Sequence, residues 1–119
     1  MRAAFVHEAT VVMEDDGDLR ALGAAVTHEL CGSWYHPPPC PLAAHHSRAV
    51  NNGGTVTLRT IFAAERGNES LVRGRIDQAL RQGSLIGPDG RTSRWTFLGG
   101  SPGELDPSEA GHARRLIDT

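Results

Sequence analysis

Residues 47–65 read SRAVNNGGTVTLRTIFAAE, two strand-like runs split by turn residues, and how they pair decides the fold. Asn52-Gly53 fits a two-residue type I′ turn, because that turn needs positive φ at both central positions and asparagine and glycine tolerate it best. The expectation is a hairpin over 46–64, a short strand at 46–50 followed by a longer one at 55–64. With Val50 opposite Thr55, Ala49 opposite Val56 and Ser47 opposite Leu58, Ala49, Val56 and Leu58 share the buried face. By alternation His45 points inward with Ser47, and His46 points outward beside Arg48 and Arg59.

Upstream, residues 2–13 are rich in valine, alanine and phenylalanine. Phe5, Val11 and Met13 fall on one side of an extended strand and Val6, Thr10 and Val12 on the other, so the strand belongs in the middle of a sheet, with His7 and Glu8 as its polar exceptions. EDDGDLRALGAAVTHELCG, residues 14–32, reads as a helix with Asp16 or Asp18 at its start, Gly32 beyond its end and Leu19, Leu22, Val26 and Leu30 on one stripe.

Downstream, NESLVRGRIDQALRQG, residues 68–83, predicts a helix capped by Asn68 and stopped by Gly83, with Val72, Ile76, Ala79 and Leu80 buried. Arg73, Asp77 and Arg81 repeat on its other side as a solvated ion ladder. TSRWTFL, residues 92–98, alternates as a last strand with Trp95 and Phe97 inward. A flexible GGSPGE leads to a short final helix, where Asp106, Pro107 and Glu109 form a capping box. The expected fold class is α+β: a two-layer sandwich in which a small mixed or antiparallel sheet, including the 46–64 hairpin, carries its helices on one face. The whole of 1–119 is expected to form a single domain with a long Cys/His/Pro-rich loop at 32–46.

Composition narrows function little. All 12 basic residues are arginines, but the net charge of −2 favours neither nucleic acid nor an anionic membrane surface. No run is long and apolar enough for export or a membrane span, so a cytoplasmic location is expected, where two cysteines serve as thiols or metal ligands more often than as a disulfide.

Residues 29–46, ELCGSWYHPPPCPLAAHH, hold both cysteines and three of the six histidines. His28, Cys31, His36, Cys40, His45 and His46 offer the thiolate and imidazole groups that zinc prefers. A polyproline II run rises about 3.1 Å per residue, which sets His36 and Cys40 about 12 Å apart and removes His36. His46 points outward, which removes it as well. The surviving set is His28, Cys31, Cys40 and His45, a closed four-ligand zinc site that would fix the loop. A metal-free loop with a buried thiol and a Cys31–Cys40 disulfide are the other readings of these residues.

Three functions follow. The first is a small metal-binding module, with zinc as cofactor, whose metal-fixed 31–46 loop contacts a protein partner or small molecule. The second is an enzyme using metal-bound water, with Glu29 the nearest base, or a Cys40–His45 pair. The third is a metal-free interaction domain presenting the proline run with Trp34 and Tyr35.

Overall fold

The computed structural model describes residues 2–31 and 43–118, apart from the side chain of Cys31. Its elements are β1 (Arg2–Met13), α1 (Arg20–Cys31), β2 (Ala44–Asn52), β3 (Thr55–Glu65), α2 (Glu69–Arg81), β4 (Ser84–Ile86), β5 (Thr92–Gly103) and α3 (Ala110–Ile117). Short 3-10 turns at Arg66–Asn68 and Pro107–Glu109 lead into α2 and α3. The strands form one five-stranded sheet in the order β2-β3-β1-β5-β4, every neighbouring pair antiparallel, curled into a half-barrel. A register shift between Thr10 and Val11, where β1 meets β5, adds to the local twist.

β1 occupies the middle, as its two-sided apolar pattern requires. Ala9 and Val11 join Val56, Leu58 and Phe62 of β3 in the main core, which α1 covers with Leu22, Val26 and Leu30 and α2 with Val72, Ile76 and Leu80. The predicted stripes of both helices are therefore their buried faces. Trp95 is buried in the same core and donates its indole N–H to the Leu80 carbonyl at 2.7 Å, which ties β5 to the end of α2.

The expected two-layer sandwich with its helices on one face is not what forms. Val6 and Ile61 project from the opposite face of β1 and β3, and α3 covers them with Ala113, joined by Ala4 and Leu116. The physical cause is the two-sided apolar character of the central strands, which leaves a second surface to bury once α1 and α2 have taken the first. The sheet thus carries helices on both sides, and the mixed alternative gives way to a wholly antiparallel one.

Three local expectations also change. The hairpin turn is Gly53–Gly54, with φ of 64° and 94°, so Asn52 pairs with Thr55 and Ala49 with Leu58. Relative to the expected pairing this is a slip of two residues, which preserves every face. Residues 84–86 form a short strand missed in the sequence, because three residues are too few to show alternation. GGSPG is the second half of β5, pairing with β1, and Gly100 has a packing cause given below.

Candidate functional site

Of the four expected ligands His28 and Cys31 lie on α1 and His45 near the start of β2, with Cys40 in the sequence between them. His45, near the start of β2, turns toward α1 as alternation predicts, and its Nε2 lies 2.9 Å from the Thr27 hydroxyl. Its Nδ1 lies 3.0 Å from the carbonyl oxygen of Ala43. A carbonyl only accepts, so Nδ1 carries the proton and Nε2 offers a lone pair, to which Thr27 donates. A backbone carbonyl holding Nδ1–H is the arrangement that orients a metal-binding or basic imidazole.

His28 is exposed, one residue after Thr27, and Cys31 ends α1. Cys40 and His36 lie outside the described residues, as do Trp34, Tyr35 and the proline run. Of the four expected ligands, the structure brings His45 against Thr27 of α1, the residue before His28 in the sequence. Among the described residues no three His, Cys, Asp or Glu side chains group together as metal ligands. Glu29, the expected base, leans toward Arg75 of α2 at 3.5 Å. His46 points to the other face of the sheet, where its ring lies tilted against that of His112 of α3 with centroids 4.5 Å apart. Burial, then the nearby His112 and Arg48, lowers its proton affinity.

A second polar centre forms around His7, whose partners the sequence did not identify. His7 is buried at the middle of β1, and its Nε2 sits 2.8 Å from Asp77 Oδ1 while its Nδ1 sits 3.2 Å from an Arg73 Nη. A guanidinium only donates, so Nδ1 is the acceptor and Nε2–H points at the carboxylate. Arg73 also donates to the Val6 carbonyl at 2.6 Å and pairs with Glu69 at 2.9 Å. Beside His7 on the same sheet face, Thr60 is fully buried and shares a 2.9 Å hydroxyl contact with Ser47. Arg73 and Asp77 are therefore not the solvated ladder expected of them, and Arg81 stacks over the Phe97 ring. The available signal was His7 itself, since a histidine central in a strand must find partners. Gly100 completes the centre: a Cβ there would lie 2.8 Å from His7 Nε2 and nearer still to Asp77 Oδ1.

On the α3 side Arg59 fastens the capping segment. Its Nε and Nη2 donate to the two oxygens of Glu109 at 3.0 and 2.6 Å, and Nη2 also reaches the Glu104 carbonyl. Glu109 accepts the Asp106 N–H at 2.8 Å, which closes the expected capping box. Arg59 first, and then that N–H, hold the Glu109 carboxyl at about 2, well below the usual carboxylate range. This cluster is saturated internally and anchors α3.

The chain matches no family model and no curated protein sequence. Among the described residues no helix is long and apolar enough to cross a membrane.

Proposed function

We propose that the chain is a small metal-binding module of zinc type, with His28, Cys31, Cys40 and His45 as ligands and the metal fixing the segment that joins α1 to β2 for contact with a partner. The observation that supports this reading is the orientation of His45. Its Nδ1–H is committed to the Ala43 carbonyl, and its Nε2 faces the stretch of α1 that bears His28 and Cys31. The donor set of two thiolates and two imidazoles is the one that structural zinc takes, and it would supply folding energy to a segment rich in proline.

Elemental analysis of the untagged protein is expected to find about one zinc per chain, and a value under roughly 0.2 overturns the reading, since structural zinc survives purification. Cys40→Ser is expected to lower metal content and melting temperature together. The enzyme reading predicts otherwise, because its Cys40–His45 pair gives a variant that folds normally but loses a reactive thiolate. The same His45 tautomer would suit a base acting on Cys40, so that experiment separates the two.

A further inference from the structure

α3 is held to the sheet by a small apolar cluster, and two histidines stand at its margin. His46 of β2 lies opposite Ile61 of β3, which lies opposite Val6 of β1, and His112 directly precedes Ala113. Val6, Ile61 and Ala113 are the buried residues of that cluster, so a strand and a packed helix fix the two histidines in place. Their rings meet with centroids 4.5 Å apart and planes inclined at 50°, which is not a stacked arrangement. Neither ring makes a hydrogen bond or ion pair among the described residues, whereas His7 and His45 have both nitrogens engaged. His46 is exposed and His112 partly buried, so the pair is open to solutes.

Two neutral imidazoles present lone pairs and no charge, and that chemistry selects the ligand. Calcium and magnesium ask for oxygen donors, while imidazole suits the late transition metals. Metal–nitrogen bonds of about 2.0–2.1 Å, with each ring centre roughly 1.1 Å behind its nitrogen, put two centroids about 4.5 Å apart at a right angle and about 5.1 Å apart at the tetrahedral angle. The observed 4.5 Å fits the right angle, which is the tetragonal geometry of nickel(II) and copper(II). The terminal torsion of histidine is broad, so each ring can turn a nitrogen toward a shared ion within its own rotamer. Arg48, two positions along β2 on the same face, opposes a bound cation. It borders a depression shared with Arg59, Glu104, Asp106 and Glu109, where three carboxylates face two guanidiniums and offset its charge.

We propose that His46 and His112 form a two-point chelate for a divalent transition-metal ion of the nickel and copper class, with water completing the coordination and the ion bridging β2 to α3. The pair lies on the face of the sheet opposite His45 and shares no residue with the zinc site proposed above. The inference therefore goes beyond the zinc reading and stands without it.

The test is an NMR titration of the full chain with nickel(II), which does not oxidise thiols as copper(II) does. The paramagnetic ion is expected to broaden the resonances of His46 together with those of Gly111, His112 and Ala113, on an element far along the chain. His46→Phe and His112→Phe each keep a ring at the contact and remove its nitrogens. Either is expected to weaken this binding at least about tenfold, since one imidazole alone loses the gain in effective concentration. Both leave His28, Cys31, Cys40 and His45 intact, so loss of the nickel site and loss of zinc are read separately. Bound nickel is also expected to raise the melting temperature of the parent and of neither variant, because the ion joins β2 to α3 only in the folded chain. The proposal is overturned if millimolar nickel spares α3, if broadening is confined to the surroundings of His28, Cys31 and His45, or if His112→Phe binds nickel at His46 as tightly as the parent does.

Discussion

Two histidines face the helices from the same side of the sheet, and the structure treats them in opposite ways. His7 is held between a permanent cation and a carboxylate, Arg73 and Asp77, both from α2. His45 is held between a carbonyl and a hydroxyl, the first two residues away and the second on α1. Arg73 donates to Nδ1 of His7 and Asp77 accepts from its Nε2, two bonds from one helix to the middle of β1. The His7 centre therefore locks α2 to the sheet. The Ala43 carbonyl and the Thr27 hydroxyl that hold His45 are neutral groups, and its oriented Nε2 can exchange a hydroxyl for another partner at small cost. Burial alone does not separate a structural histidine from a chemical one; the charge and the replaceability of its partners do.

That contrast can be broken most directly at Asp77. Asp77→Leu leaves the His7 Nε2–H buried and unbonded, with an expected loss of about 2 kcal/mol and a fall in melting temperature of about 8 °C. A loss near zero in thermal unfolding would remove His7 from the structural class. Gly100→Ala pushes a methyl group into Asp77 and His7 and is expected to cost about 1–2 kcal/mol. Because shortening Asp77 opens that space, Gly100→Ala combined with Asp77→Ala should cost less than the sum of the two, and strict additivity in urea unfolding would show that the crowding is elsewhere.

The Arg59–Glu109 clamp gives a pH signature of its own. Glu109 has its carboxyl depressed from 4.5 to about 2 in the folded chain. A depressed acid stabilises the fold above its unfolded value, so the contribution is complete above pH 4.5 and fades as pH falls toward 2. Glu109→Gln is accordingly expected to lower stability by about 1 kcal/mol at neutral pH, with the gap to the parent closing in urea titrations taken through that window. A gap that stays constant with pH would mean the clamp acts by shape. The smallest effect is expected at His45: Thr27→Val should cost about 0.5–1 kcal/mol and leave metal content unchanged, whereas the same variant losing its metal would make Thr27 part of the site.

Legibility followed how local the physics is. Helical stripes such as Val72, Ile76, Ala79 and Leu80 were readable because 3.6-residue periodicity is written in consecutive residues. The directions of His45 and His46 survived a hairpin misread by two residues, because faces repeat every second position. The Glu109 capping box was readable for the same reason, but not its bond to Arg59, fifty positions away. The His7 centre was illegible, since its partners stand seventy and sixty-six residues along the chain. Gly100 looked like part of a flexible stretch because a glycine required by crowding and one that merely loosens a chain are the same letter.

By itself the sequence determined the central place of β1, the buried stripes of α1 and α2 and the inward turn of His45, all consequences of the spacing of apolar side chains along single elements. Only the tertiary structure decided that α3 would cover the second face of the sheet, that Asp77 would close over Gly100 onto His7, and that β2 would stand at an edge beside α1. Those outcomes depend on which surfaces remain uncovered after the first helices have packed, and that is a property of the assembled sheet rather than of any segment within it.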